Sequence, residues 1–428
     1  MQAKLRSILQ TNGMSRRNAL KMLAISSAVL AAPTLKAQGK IANCQLTYNK
    51  AINYLGLNQA GVLTPEPKNA SFIAFNITAN SVEQLQTVFT LLTQRIAHLT
   101  QSQIEPSINN DKIPPAESGI LGTQQQPDSL TITVALGNSL FDNRFGLNKI
   151  KPKHLSEMTS FPNDRLEQKW CGGDLLLQIC ANSQESVIYA LRDILRHISP
   201  YSFPLWKIDG FLPARDIDNH STPINLFGFK DGTGNAPADD NSLMNELIWI
   251  TKGSQEPSWC DGGTYQAVRL IRFNLEFWDR TPLEDQENDF GRHKDSGAPI
   301  GMKNEHDDPK FGEDPHGDRI LFDSHMRRAE PRNPERYTAK LRRRSYSYSL
   351  GLTETGALDM GLIFVSFQQN LKTGFIDTQK RLNGEPLERY IKPFGGGYYF
   401  VLPGVESAQD TLAEKMFTAL KQTEWWYW

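Results

Sequence analysis

Three short segments of this 428-residue chain carry side chains that could act together on one bound group. In GFKDGTGN, glycines on both sides of Asp231 let the backbone approach a flat ligand closely while the carboxylate projects towards it. In RILFDSHMRRAEPR, His325 could bind iron axially, and the arginines that follow could pair with carboxylates of the ligand. In LRRRSYSYS, a triple arginine centred on Arg343 precedes an alternating strand, so one guanidinium must point inwards. Together the segments would supply what one haem site requires.

Taken singly, each segment has an ordinary explanation that its letters favour over a ligand site. Asp231 could lie in a surface Asp-Gly turn. His325 could be a structural histidine beside solvated arginines, and the triple arginine could be charge at the edge of a sheet. The segments therefore have to be judged by the elements that position them.

Those elements repeat within the first half of the chain. A strand at 71–78 leads through Asn80, a possible helix cap, into an amphipathic helix. The same order returns 102 residues later, where GDLLLQIC leads through Asn182 into a second amphipathic helix. With strands near 129–136 and 204–212, this order predicts a ferredoxin-like β-α-β-β-α-β unit.

A second set of elements follows, with strands at 265–273, 360–367 and 397–402 and a helix at about 370–382. The predicted fold class is therefore α+β, with two ferredoxin-like domains built on antiparallel sheets. We expect an N-terminal domain at 45–225 and a C-terminal domain at 226–428, which would hold the candidate site.

The charged, Pro- and Gly-rich stretch from Thr281 to Asp318 lacks periodicity and is predicted to be a long loop, a kind of segment that is often functional. Its acids and histidines offer a different hypothesis, a non-haem metal site, although a solvated loop also explains them. The candidate ligands are Glu284, Asp285, Glu287, Asp289, His293, Glu305, His306, Asp307, Asp308, Glu313, Asp314, His316 and Asp318.

The N-terminus has the composition of a targeting segment. An Arg16-Arg17 pair precedes an apolar stretch from Met22 to Ala32, and residues 1–37 hold six Lys and Arg but no acid. This pattern predicts a twin-arginine signal peptide at 1–37 and a periplasmic protein, with a buried amphipathic helix as the alternative. Because the twin-arginine route carries folded chains, it hints at a cofactor inserted before export.

Charge and hydropathy exclude other classes. The formal net charge is −1, and removal of residues 1–37 leaves 40 basic residues against 47 acidic ones, which argues against nucleic-acid binding. After the N-terminal region no apolar run of 18 or more residues occurs, so we expect no membrane span in the mature chain. The four cysteines form no C-x-x-C pair, which excludes covalently attached haem, and Cys180 is expected to be a buried thiol.

In order and spacing, the segments GFKDGTGN, DSHMR followed by PR, and RRSYSYSLG resemble those of the dye-decolorizing peroxidases. Within that family the chain is most similar to the exported deferrochelatase/peroxidase subgroup that accompanies bacterial iron-uptake systems. The resemblance runs from about residue 45 to about residue 415, and the motifs WCGGDLLLQICAN, LDMGLIFVSFQ, QKRLNGEPLE and GGGYYFVLPG also fit it. It implies two ferredoxin-like domains, haem b in the C-terminal one with one haem per subunit, and a homodimer.

Carried over position by position, the resemblance implies that His325 is the proximal iron ligand, Asp231 the distal acid/base and Arg343 the distal arginine. A carboxylate near the iron can move a proton between the two peroxide oxygens, and a guanidinium can stabilise charge on the departing oxygen. Only the alignment chooses Arg343 over Arg342 and Arg344. The other positions carried over are Gly232, Thr233 and Gly234 at the haem edge and Glu330, Pro331 and Arg332 against the macrocycle, Arg332 as the propionate partner.

Two activities follow from the resemblance, and one hypothesis lies outside it. The protein would reduce hydrogen peroxide at the expense of a bulky reducing substrate, oxidised at a surface Tyr or Trp, or it would remove iron from haem and leave protoporphyrin intact, with permease components as possible partners. The outside hypothesis is a non-haem iron-binding or iron-delivery protein of a periplasmic uptake system. The terminal Trp425-Trp426-Tyr427-Trp428 departs from the family and fits core packing, a docking patch or an electron-relay surface.

Overall fold

Nine antiparallel strands make a single sheet in the part of the chain that the computed structural model describes. The described residues are 50–101, 112, 114–115, 118–122, 127–213, 222–331 and 341–424. The strands are β1 (Asn69–Ile77), β2 (Thr131–Gly137), β3 (Leu175–Ala181), β4 (Ser202–Phe211), β5 (Thr264–Phe273), β6 (Arg342–Arg343), β7 (Tyr346–Leu352), β8 (Leu358–Gln368) and β9 (Ile391–Val401).

The order of the strands shows two copies of one arrangement. In the first half it is β4-β1-β3-β2, and in the second half it is β9-β5-β8-β7, with β6 added beside β8. In both halves the first strand lies between the fourth and the third, as in a ferredoxin-like unit. The predicted α+β fold of two ferredoxin-like halves is therefore confirmed.

The two halves also pair with each other, which the sequence did not predict. Strand β2 bonds to β9 through Ala135 and Val401, and β4 meets β7 at Phe211 and Ser347. Because β5 also pairs with β8, eight strands close into a ring. The junctions are short, with three residue pairs between β2 and β9 and one between β4 and β7, so they pair part of the outer strands of both halves.

Helices cover the sheet and its connections. They are α1 (Val82–Thr100), α2 (Gln184–Ile198), α3 (Asn241–Leu247), α4 (Leu275–Trp278), α5 (Leu283–Phe290), α6 (His325–Ala329), α7 (Asp377–Leu382) and α8 (Glu414–Glu424). A turn of π-helix at Lys372–Ile376 leads into α7. In the described part of the chain, none of these helices combines the length and the apolar character needed to cross a membrane.

Helix α1 begins one residue later than predicted. Ser81, rather than Asn80, is its cap, because the Ser81 hydroxyl accepts a hydrogen bond from the Gln84 amide at 3.3 Å. The Gln84 side chain in turn accepts from the Asn80 N–H at 2.8 Å. Helix α2 shifts in the same way, with Ser183 as its cap.

Two other predictions need correction. The last strand begins at Ile391 and not at Gly397, because its glycines permit close approach: a Cβ on Gly395 would lie 2.6 Å from Trp170. The stretch from Thr281 to Asp318 is not loop throughout, since α5 occupies Leu283–Phe290. Eight residues are too few to reveal a helical period.

The cysteine prediction is confirmed where it can be examined. Cys180 is a fully buried free thiol whose burial raises its pKa. Cys260 is also buried and free, and Cys171 is free and half-buried.

Candidate functional site

A large cavity lies beside the second half of the sheet. Its volume is about 1880 Å³ when the open mouth is included. Most of its lining is aromatic or aliphatic, as a broad flat ligand would require. These apolar residues include Phe161, Phe227, Ile271, Phe273, Phe290, Leu362, Phe364, Phe375 and Leu382.

The structure brings most of the predicted site residues to this cavity. Asp231, His325 and Arg343 all line it, and so do Thr233, Gly234 and Glu330. Gly232 lines an adjoining cavity of about 770 Å³, its mouth included, which shares Asp231 and Arg343 with the first. Pro331 is half-exposed and does not line either cavity, and Arg332 lies outside the described residues.

His325 is the first residue of α6 and is held by a carboxylate. Its Nδ1 lies 2.7 Å from Glu385 Oε2, and the Glu385 side chain is only 3% exposed. Burial would lower the pKa of His325, but the Glu385 charge and hydrogen bond outweigh it and the pKa is raised. Since Nδ1 is engaged, Nε2 is the ring nitrogen left to bind a metal. Glu385 lies in the QKRLNGEPLE motif, but the sequence assigned it no role.

Asp231 and Arg343 form an ion pair at the cavity wall. Arg343 Nη1 lies 3.1 Å from Asp231 Oδ1, and the two side chains are 27% and 15% exposed. The backbone of Arg343 is bonded on both sides by the Asn235 side chain, which accepts from its N–H at 2.9 Å and donates to its carbonyl at 2.8 Å. Asn235, the last letter of GFKDGTGN, therefore joins the first segment to the third.

The neighbouring arginines point elsewhere because side chains alternate along a strand. Arg342 donates to the Ala236 carbonyl at 2.9 Å, and Arg344 is fully buried and donates to the Thr64 carbonyl. Both line only the smaller cavity. Of the three arginines, Arg343 is the one that reaches the large cavity.

Asp231 projects from a hairpin of residues 222–235, named here the Asp231 hairpin. Ile224 pairs with Lys230, and the Asp231 amide donates to the Pro223 carbonyl at 2.7 Å. Phe229 within it stacks on Phe290 with ring centroids 4.0 Å apart. Phe227 and Phe229 are buried and anchor the hairpin to the body of the protein, and Asp231 is half-buried at the cavity wall, so it does not lie in an isolated surface Asp-Gly turn.

Cationic side chains interrupt the apolar lining. Arg269 forms an ion pair with Asp164 in which both side chains are 2% exposed. Arg381 donates to the Arg328 and Ala329 carbonyls at 3.1 and 2.8 Å. The cations that line the cavity are Lys230, Arg269, Arg292, Arg343 and Arg381.

This set of residues fits a haem. Apolar walls suit the macrocycle, a histidine with one free ring nitrogen suits the iron, and cations suit the propionates. Asp231 and Arg343 add a proton-transfer group and a positive charge in the same cavity.

The acidic loop from Thr281 to Asp318 does not assemble the alternative metal site. Within the described residues, which include the whole loop, no group of three or more His, Cys, Asp or Glu could hold a metal ion. Its two buried acids pair with arginines instead. Asp289 pairs with Arg389 at 3.0 Å and Asp314 pairs with Arg327 at 2.8 Å, while the half-buried Glu287 lies 2.9 Å from the His293 ring.

Comparison with known proteins agrees with the site. The N-terminal model of the Dyp-type peroxidases matches residues 59–212, and the C-terminal model matches residues 222–406. The deferrochelatase of Escherichia coli O157:H7 is 49% identical over 411 residues, which cover 95% of this chain and 97% of that protein. The deferrochelatase of Escherichia coli strain K12 is 49% identical over 406 residues, covering 93% and 96%.

Solved structures share the fold. Ferric DtpA from Streptomyces lividans is similar with a TM-score of 0.77 at 26% identity, covering 87% of this chain and 98% of that chain. A DyP-type peroxidase from Cellulomonas bogoriensis is similar with a TM-score of 0.75 at 28% identity, covering 86% and 98%. The chain belongs to the Dyp-type peroxidase family, whose haem cofactor fits the cavity that His325, Asp231 and Arg343 line.

Proposed function

We propose that this protein reduces hydrogen peroxide with a bound haem, using His325 as the iron ligand and Asp231 and Arg343 as the catalytic pair. One observation carries the proposal: side chains from distant parts of the chain line a single cavity that suits a haem. Asp231 and Arg343 are 112 residues apart in sequence, and their charged atoms lie 3.1 Å apart.

Asp231, Arg343 and Glu385 have different roles in the reaction with peroxide. Haem, when bound, supplies an iron that binds peroxide and accepts its oxidising equivalents. Asp231 takes the proton from the inner peroxide oxygen and returns it to the outer one, which then leaves as water. Arg343 contacts Oδ1 of Asp231 and stabilises negative charge on the departing oxygen. Glu385 holds the His325 ring in one orientation through Nδ1.

Electrons from substrates too bulky for the cavity need a route through the protein. The Phe227 ring lines the cavity, and its centroid lies 4.6 Å from the centroid of the Trp278 ring. The Trp278 and Tyr390 ring centroids lie 4.9 Å apart. Tyr390 packs 5.1 Å from Phe277, which is 45% exposed. We place the electron-transfer steps on Tyr390 and Trp278, the two readily oxidised rings, with the bulky substrate docked beside the exposed Phe277 ring. The Thr281 hydroxyl donates a hydrogen bond to the Tyr390 hydroxyl at 3.1 Å.

A role in iron acquisition rests on the relatives named deferrochelatase. By that proposal, haem is a substrate, and the protein removes its iron and leaves protoporphyrin intact. The signal pattern of residues 1–37 supports export to the periplasm by the twin-arginine route. A homodimer and iron-uptake permease components as partners rest on the family resemblance alone. Residues 1–37 and the aromatic tail at 425–428 lie outside the described residues. The domain division at 45–225 and 226–428 is proposed from the strand order.

The absorption spectrum of the purified protein, with a pyridine haemochrome assay, tests the peroxidase proposal beside His325→Ala. We expect a Soret band in the parent that collapses or shifts in the variant. A colourless parent that takes up no added haem would overturn the proposal. For iron removal, the parent is incubated with haem and iron-free porphyrin is measured by its fluorescence, and absence of porphyrin would leave peroxide reduction as the sole activity.

A further inference from the structure

One carboxylate of the acidic loop bonds to the Asp231 hairpin. Glu305 accepts hydrogen bonds from the hydroxyls of Thr222 and Thr233, the latter at 2.9 Å, and from the Lys230 ammonium at 2.5 Å. All three donors belong to the hairpin. They lie on both sides of Asp231, so Glu305 joins the two ends of the hairpin.

The environment of Glu305 favours its charged form. Its side chain is 13% exposed, and burial by itself would raise the pKa of this carboxyl. Lys230 and the two hydroxyls outweigh burial and lower the pKa instead. The Glu305 carbonyl also accepts from Arg292 Nη1 at 3.0 Å, which ties the backbone of the acidic loop to another residue of the cavity lining.

The Asp231 hairpin needs contacts that hold its backbone in place close to the Asp231 carboxylate. Gly232 follows Asp231 with a φ of +116°, a backbone conformation that glycine adopts freely and other residues rarely do. Freedom at this position would let Asp231 move relative to Arg343. On one side of Gly232, Asn235 bonds the Arg343 backbone, and on the other side Glu305 bonds Lys230.

We propose that Glu305 is a positioning residue for the peroxide reaction: by bonding Thr222, Lys230 and Thr233, it fixes the Asp231 hairpin so that the carboxylate stays against Arg343. The inference rests on the proposed function of Asp231. It also gives a use to part of the acidic loop, which holds no metal cluster among the described residues.

Glu305→Ala and Glu305→Gln test the inference, with Glu313→Gln as the matched control. Glu313 lies in the same loop, but its side chain is 65% exposed and contacts Lys310 at the surface. The first measurement is hydrogen exchange of the 224–235 amides in haem-free protein. We expect faster exchange at the Asp231 amide in Glu305→Ala, a smaller increase in Glu305→Gln, and the parental rate in Glu313→Gln.

The second measurement is steady-state kinetics of the haem-loaded variants. Displacement of a catalytic group by about 1 Å can cost roughly a hundredfold in rate, so kcat/KM for peroxide should fall roughly ten- to a hundredfold in Glu305→Ala. The KM for the reducing substrate and the Soret maximum should stay parental. If Glu305→Ala does not fold, Glu305→Gln and Thr233→Val provide both measurements.

Parental exchange together with parental peroxide kinetics in Glu305→Gln and Thr233→Val would overturn the inference. Failure of the proposed function would look different, because Asp231→Asn would then react with peroxide as fast as the parent. In that case faster exchange in the Glu305 variants would show that the Glu305 hydrogen bonds stabilise the hairpin without serving the reaction. The positioning role would then also be overturned.

Discussion

The imidazole of His325 and the carboxylate of Glu385 lie 2.7 Å apart although 60 residues separate them in sequence. The carboxylate is almost fully buried, so its charge acts on the ring at low local dielectric. Second-layer partners of this kind fix the tautomer and orientation of a ligating histidine.

Glu385→Gln should therefore weaken haem binding without abolishing it. Loss of the charge leaves a neutral acceptor for Nδ1–H, and comparable changes cost about 10- to 100-fold in affinity. Titration of haem-free protein with haem, followed at the Soret band, measures the change. Parental affinity in Glu385→Gln would show that the contact does not support the ligand.

Asp231→Asn should retain haem and lose reactivity with peroxide. The amide fills the same volume but cannot accept the proton, and general acid–base groups contribute about 10²- to 10⁴-fold. Stopped-flow mixing with peroxide measures the rate constant, and the pyridine haemochrome assay measures haem content. A variant that loses haem and reactivity in equal proportion would indicate a structural role for Asp231.

Removal of Arg344 should lower the stability of the protein, whereas removal of Arg343 should lower the rate of the peroxide reaction. Arg344→Ala removes the donor to the Thr64 carbonyl and leaves Glu66 with Arg342 as its nearby cation, which should lower the free energy of unfolding by about 1 to 3 kcal/mol. Arg343→Ala lies at the cavity and should slow the peroxide reaction while unfolding near the parental urea concentration. Urea denaturation and stopped-flow rates of both variants separate the two effects. Equal losses in both assays would contradict this division.

The carboxylate of Glu305 should make the free energy of unfolding depend on pH in the acidic range. Its folded-state pKa is lowered, so the stabilisation is fully present above the ordinary pKa of about 4.5 and is lost as pH falls through the lower folded-state value. The parent should therefore lose stability more steeply than Glu305→Gln as pH falls below about 5. Urea denaturation from pH 6 to pH 3 measures both slopes, and Glu313→Gln should follow the parent.

Trp278→Phe and Tyr390→Phe should impair bulky substrates selectively. Phenylalanine keeps the packing but is much harder to oxidise, so turnover of a sulfonated dye should fall while the peroxide rate stays parental. Trp249→Phe is the control, because Trp249 is buried in a different hydrophobic cluster. Equal dye turnover in all three variants would exclude the proposed route.

Local pattern predicted the halves of this fold well and predicted distant contacts poorly. The apolar period of α1 and α2 depends on nearby residues, so both helices and the ferredoxin-like order could be inferred. The pairing of β2 with β9 joins residues more than 250 positions apart, and no local signal marks it. Glycine-rich Gly395–Gly397 concealed the start of β9, because close strand packing rather than turn formation requires those glycines.

The candidate site divides in the same way. The motif letters offered Asp231, His325 and one of the arginines at 342–344 as candidates, but each also had an ordinary structural explanation. The family resemblance assigned their roles and chose Arg343. Glu385 and Glu305 were missed as positioning residues because carboxylates are common, and only the folded chain shows which partners they meet.

The closed ring of strands makes the two halves depend on each other during folding. Either half alone would present two unpaired strand edges, which are templates for aggregation. We therefore expect the halves to unfold together in one cooperative transition, and partial chains to be insoluble. Folding of both halves together before export by the proposed twin-arginine route would keep these edges paired.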